Sequence, residues 1–133
     1  MPGKTQTHTD AVLNVLRGNA VSAISPYVGL FTTAPTNDAD SGVEVSGNNY
    51  SRQTVTFGAP ESDVNNVRKI SNTNTITFGP ATPSGWGLVV AFGIYTAATA
   101  GTLVYWGDLS SQKTIGANDS AQFSIGALVV KED

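Results

Sequence analysis

Leu88-Val89-Val90-Ala91-Phe92-Gly93-Ile94-Tyr95 is the longest apolar run in this chain, and it is apolar at odd and even positions alike. A strand with only one face buried would alternate, so a run of this kind predicts a strand covered on both faces at the centre of a sheet. Residues 96–101, Thr-Ala-Ala-Thr-Ala-Gly, then supply a small-residue hairpin loop, and residues 102–106 form the return strand.

Working outward from this hairpin, other short runs carry strand composition and end in turn residues. Residues 27–33 form one, closed by Ala34-Pro35-Thr36-Asn37-Asp38, where proline cannot continue a ladder and Asn and Asp favour turns. Residues 50–57 alternate, with Tyr50, Arg52, Thr54 and Thr56 on one face and Ser51, Gln53, Val55 and Phe57 on the other. Residues 75–78 and 121–130, the latter interrupted at Gly126, complete the set. Many short strands, Gly, Pro and Asn punctuation, and no alternating helices predict an all-β fold, an antiparallel β-sandwich of jelly-roll-like type. The segments from Thr54 to Pro60 and from Thr75 to Ala81 look alike, which strand ends followed by turns explain without a repeat.

One short N-terminal helix is expected over residues 10–17. Thr9 or Asp10 would cap it, Val12, Leu13, Val15 and Leu16 supply an apolar stripe, and Gly18 stands where a left-handed residue ends a helix. A helix of this length is unstable alone, so its stripe must dock on its own sandwich or on a neighbouring subunit. The division that follows is residues 1–26 as an N-terminal arm with the short helix and residues 27–133 as the β-sandwich domain.

The chain has 133 residues, the size of one domain with one core. Only 13% are charged, against roughly a quarter in ordinary soluble domains, which leans toward a protein packed against neighbours. A formal charge of -3 with scattered Lys and Arg argues against nucleic-acid binding. There is no apolar run of membrane-spanning length and no secretory signal pattern at the N-terminus, so no membrane contact and no export are expected.

Candidate chemistry is sparse. Cysteine is absent, which removes disulfides, a thiolate nucleophile and Cys-ligated metal. The single histidine, His8, lies in a polar N-terminal segment without a partner carboxylate at metal-ligand spacing. Asn37-Asp38-Ala39-Asp40-Ser41-Gly42 resembles half of a calcium loop, but the twelfth position counted from Asn37 is Asn48 where a bidentate Glu is needed, so the segment reads as a solvated turn. Glu61 and Asp63 stand two apart beside Pro60 with no sign of the burial that would raise one carboxyl for acid catalysis. Neither Ser46-Gly47 nor Ser84-Gly85 is a nucleophile elbow, and the glycines form neither a P-loop nor a dinucleotide fingerprint. No enzymatic activity, cofactor, metal or small-molecule substrate is expected.

The expected binding residues are therefore those of an interface. Trp86, flanked by Gly85 and Gly87, reads either as core packing at a strand end or as a loop residue available to a partner; on the second reading Trp86→Ala would spare folding where Phe92→Ala would destroy it. Arg52 and the polar arm residues Lys4, Thr5, Gln6, Thr7 and His8 complete the candidate set, the arm being expected to order on a partner and to be dispensable for folding.

The run Tyr27-Val28-Gly29-Leu30-Phe31-Thr32-Thr33-Ala34-Pro35-Thr36, followed by Gly42-Val43-Glu44-Val45-Ser46-Gly47 and Tyr50-Ser51-Arg52-Gln53, resembles a family of small tailed-bacteriophage virion proteins often labelled tail fibre proteins. The likeness continues through Thr56-Phe57-Gly58-Ala59-Pro60, Ile70-Ser71-Asn72, Trp86-Gly87, Phe92-Gly93-Ile94-Tyr95, Lys113-Thr114-Ile115 and Asp119, and covers most of the chain from Tyr27 onward. The resemblance implies a virion structural protein made in the host cytoplasm. Its first implied role is a capsid decoration, or cement, protein, a trimer seated on the major capsid protein and stabilising the assembled head by mass action. The alternative is a tail-fibre or baseplate module that contacts the host surface.

Overall fold

The computed structural model describes residues 3–21, 23–36 and 42–132. Eleven strands and one helix are ordered β1 (Gly3–Lys4), α1 (Gln6–Leu16), β2 (Tyr27–Thr33), β3 (Val43–Glu44), β4 (Gln53–Thr54), β5 (Glu61–Ser62), β6 (Arg68–Ser71), β7 (Ile76–Phe78), β8 (Gly87–Tyr95), β9 (Leu103–Ile115), β10 (Ala121–Phe123) and β11 (Val129–Glu132). Every pairing is antiparallel. The large sheet runs β1-β9-β8-β2-β3, with β4 sharing an edge of β2, and two small sheets, β10-β7 and β11-β6-β5, pack over it. The all-β sandwich expected from the strand spacing is the fold observed.

β8 is the central strand, flanked by β9 and β2, and its two faces enter two different apolar clusters, which is why the run from Leu88 to Tyr95 does not alternate. Phe92 and Ile94 enter the main core with Val28, Leu30, Phe78, Val104 and Leu128, while Ala91 and Tyr95 join Phe31 and Leu103 in a second cluster. Gly93 is required by close approach: a Cβ there would stand 2.6 Å from both Leu103 Cδ1 and Phe31 Cε1, so these two side chains fill the space a residue larger than glycine would take.

The hairpin after β8 closes as expected, with Thr96 N–H donating to Thr102 O and Thr102 N–H donating to Thr96 Oγ1. The return strand is much longer than the expected residues 102–106, reaching Ile115. Its polar half, from Asp108 to Thr114, carries no alternating pattern and is strand because β8 pairs with it, across a register shift that sets Val89 against Lys113 and Ala91 against Asp108. Conversely, the expected strand over residues 50–57 shrinks to β4 and an isolated bridge from Phe57 to Asn72. One edge of β2 is taken by β8, and β3 already occupies the upper part of the other edge at Phe31 and Thr33, leaving only Tyr27 and Val28 for β4.

The interruption at Gly126 is confirmed by its φ of 82°, which separates β10 from β11 and sends them to different small sheets. Glu61 and Asp63, weighed by sequence for acid catalysis, belong to the β5-β6 hairpin, in which Glu61 pairs with Lys69 and Ser62 with Arg68.

The N-terminal segment departs most from expectation. The helix begins four residues earlier than residues 10–17, because Thr5 rather than Thr9 or Asp10 is its cap: Thr5 Oγ1 accepts from His8 N–H and Thr5 O accepts from Thr9 N–H. Gly18 does take the left-handed conformation just beyond the end, at φ 89°. The arm is also not merely a polar extension. Gly3 and Lys4 pair with Trp106 and Tyr105 at the edge of the large sheet. Thr5 is wholly buried, its N–H donating to Val104 O at 3.1 Å and its hydroxyl to Leu103 O at 2.7 Å.

Thr5→Val is accordingly expected to destabilise the fold by about 1–3 kcal/mol, since it strips the cap and leaves the Leu103 carbonyl without its donor. Denaturant unfolding checks this, and an unchanged midpoint would return the arm to the role of a dispensable extension.

Candidate functional site

Three regions hold the residues singled out by sequence, and the structure does not bring them into one site. At the N-terminal end, Lys4 Nζ forms an ion pair with Glu132 in β11, and Tyr105 OH donates to the other oxygen of the same carboxylate. His8 packs on the Tyr105 ring with centroids 4.8 Å apart. Burial pushes the His8 imidazole below its ordinary pKa, against the opposing pull of Glu132, and Lys4 adds to the depression. Burial would raise the Glu132 carboxyl, but Lys4 and Tyr105 together hold it below the usual range. Gln6 and Thr7 are exposed in the first turn of α1. A hollow of about 440 Å³ separates this helix from the β8-β9 hairpin, lined by Thr7, His8, Ala11, Ile24, Thr96 and Thr102.

On the opposite edge of the same hairpin, Arg52 is directed inward. Its Nε and Nη2 each donate to one oxygen of Glu44 at 2.9 Å, and Nη1 donates to Ala97 O and Ala100 O, at 3.0 and 2.7 Å. The guanidinium lies 3.4 Å from the centroid of the Tyr95 ring. Tyr50 OH donates to Glu44 Oε2 at 2.6 Å and accepts from Leu30 N–H, and burial followed by the Glu44 hydrogen bond drives its phenol far above the ordinary value. This network ties β3, the segment before β4 and the hairpin loop together, and it excludes a side chain at Gly29, where a Cβ would stand 2.7 Å from Glu44 Oε2. Planar bidentate pairing is the reason for arginine here. Arg52, a candidate partner-binding residue by sequence, has its guanidinium donors engaged within the chain.

The partner-facing reading of Trp86 is corrected in favour of core packing. It is 7% exposed, lies in the main core edge-on to Tyr50 at 5.5 Å, and donates through Nε1 to Asn48 O at 3.0 Å. Of the flanking glycines Gly85 serves packing, since a Cβ there would collide with Ile115 O at 2.3 Å, the carbonyl to which Trp86 N–H donates, while Gly87 serves the backbone at φ 80°.

Glu61 and Asp63 are engaged by cations. Lys131 at 2.8 Å, then the backbone N–H groups of Asn65 and Val67, lower the Asp63 carboxyl to about 2, while Glu61 stands 3.7 Å from Lys69. A carboxyl held down in this way is the reverse of a general acid. Because the folded-state value lies below the ordinary one near 3.9, the stability Asp63 confers is present above about pH 4 and is lost as pH falls toward 2. Melting temperature recorded across that window is expected to fall more steeply for the natural chain than for Asp63→Asn, and parallel curves would refute it. Among the described residues no three of His, Asp and Glu converge on a point. Residues 37–41 of the calcium-like segment lie outside the described residues.

The feature that sequence reading left open is the stripe of α1. No residue of α1 is buried, and Val12, Leu13, Val15 and Leu16 are 42%, 56%, 50% and 86% exposed. The stripe itself was legible; its failure to dock on the sandwich was not.

Taken together, an antiparallel sandwich whose polar clusters brace strands and loops, and whose exposed helix offers an apolar face, defines a β-rich structural module. The chain belongs to the family described as podophage GP4 fiber I protein gp80, whose model matches residues 3–131. It is therefore a phage virion protein with a structural role, as the resemblance implied, and the match extends through the N-terminal segment as well as the sandwich. No curated protein matches the chain.

Proposed function

We propose that this chain is a structural component of the tail-fibre apparatus of a phage and performs no catalysis. The observation that carries this reading is the match of residues 3–131 to a family described as a fibre protein. The other reading, a trimer on the head with the major capsid protein as partner, is implied by the resemblance, and the family's description as a fibre protein favours the tail over it. The geometry supports a scaffold role: the Arg52-Glu44 network locks the β8-β9 hairpin, and the Lys4-Glu132-Tyr105 cluster joins the two termini, so the sandwich presents a rigid surface. Low charge suits a surface covered by neighbouring virion chains. Labelling intact particles with an antibody to this chain tests the proposal. Label on the tail fibres supports it, and label spread over the head shell overturns it in favour of decoration.

A further inference from the structure

We infer that the exposed face of α1 is a contact surface for α1 of a second copy of this chain, the two helices packing antiparallel about a two-fold axis. The inference does not depend on where in the virion the chain sits.

The apolar face comes first. Leu16 is 86% exposed, and Val12 and Leu13, about one turn before it, are 42% and 56% exposed. The spacing of these three places them on one side of the helix, away from Thr7 and Ala11, which line the hollow toward the hairpin, with His8 at the border one turn before Val12. An 11-residue helix with no buried residue is too short to persist on backbone hydrogen bonds alone, and an apolar face of this kind marks an interaction surface.

The charges identify the occupant. Between Lys4 and Asp38, Asp10 and Arg17 are the only formally charged residues. They are seven positions apart, which brings them to within about 20° of each other around the helix axis and onto one flank of the apolar stripe. Both are exposed, and Asp10 forms no ion pair with a described residue, while Arg17 spends one contact on Asn14 Oδ1. The helix dipole does not account for Asp10, which lies beyond the first turn. In an antiparallel pair centred between Leu13 and Asn14, Asp10 of each copy lies level with Arg17 of the other and Val12 with Val15, while Leu13 sits beside the two-fold axis and Leu16 lies level with Ala11 of the other copy. A two-fold operation keeps the charged flanks on the same side, so two ion pairs form at once. A parallel pair, related by a two-fold axis along the helices, would carry the charged flank of one copy to the far side of the seam, where Asp10 and Arg17 meet no opposite charge. The face is thus its own complement, a property that an unrelated partner would not require.

A helix about 16 Å long makes a small patch, so the association in solution is weak, on the order of 10–100 µM, and is strengthened where assembly holds copies close together. Sedimentation equilibrium of the full chain up to about 1 mM tests it. A reversible monomer–dimer equilibrium is expected. Leu16→Asp should weaken it by about tenfold or more without changing the melting temperature, because Leu16 contributes nothing to the core. Asp10→Lys should weaken it by about fivefold, and Asp10→Lys combined with Arg17→Asp should restore it. A chain that stays monomeric throughout, a dimer indifferent to Leu16→Asp, a double variant no better than Asp10→Lys, or a trimer each overturns the inference, since an isologous contact of this kind closes at two copies.

Discussion

Trp86→Ala is expected to lower the unfolding free energy by about 3–5 kcal/mol, a large share of what a domain of this size has. Three losses combine. The indole leaves a cavity beside Tyr50 and Phe78, whose rings lie parallel with centroids 6.2 Å apart. The Asn48 carbonyl loses its indole N–H donor. The segment carrying Asn48 and Asn49, both at positive φ, loses its anchor to the β8 side of the core, held otherwise by Asn48 Nδ2 donating to Gly85 O at 3.2 Å and Asn49 Nδ2 donating to Pro80 O at 2.9 Å. Equilibrium unfolding in urea measures the loss. Phe92→Ala, in the same core, is expected to cost a similar amount, and a Trp86→Ala variant as stable as the natural chain would show that the indole is not part of the packing.

Asn72→Leu is the second change with a large expected effect, about 3–5 kcal/mol, although it adds apolar volume to a site that is 1% exposed. Asn72 acts as the hub of the lower layer. Its Nδ2 donates to Asn74 O at 2.7 Å and Ser124 O at 3.0 Å, and its Oδ1 accepts from Leu128 N–H at 2.9 Å. Its backbone adds the bonds Asn72 N–H to Leu128 O and Gly126 N–H to Asn72 O. The side chain therefore satisfies three backbone groups of segments that belong to no common ladder, at the place where Gly126 breaks the strand. Leucine would leave the buried Leu128 N–H unpaired, at roughly 1–3 kcal/mol, would strip the part-buried Asn74 and Ser124 carbonyls of their donor, and would crowd the closed site with its own volume. Hydrogen exchange should show the Leu128 and Gly126 amides losing protection first. Retained protection at Leu128 would mean that water replaces the side chain without cost.

The two residues teach different lessons about what a sequence discloses. Asn72 sits between Ser71 and Thr73 in a stretch that reads as a turn, and asparagine is common in turns for local reasons. Nothing local distinguishes an asparagine that bonds its own backbone from one that reaches residues 124 and 128. Trp86 misled for a related reason: two flanking glycines look like a mobile loop, whereas Gly85 is small because the Ile115 carbonyl passes close to it, and Gly87 takes φ 80° as β8 begins.

Local periodicity, and backbone chemistry that acts over a few residues, made part of this fold readable in the chain. β2 and β8, the loop after β8, the stop at Gly18 and the break at Gly126 were all legible, because a doubly buried strand must be apolar throughout and a left-handed position favours glycine. So was the apolar stripe of α1. Which groups become partners came from long-range packing. The polar half of β9 is strand only because β8 lies beside it, β4 is short only because β3 already holds the edge of β2, and Thr5 caps the helix because its hydroxyl is fixed on Leu103 O. Arg52 faces inward because Glu44 and two hairpin carbonyls converge on it. The physical reason is the same in each case: pattern fixes which surface of an element is apolar, but which groups meet across the sandwich depends on contacts between residues far apart in the chain, and no short window of sequence contains both members of such a pair.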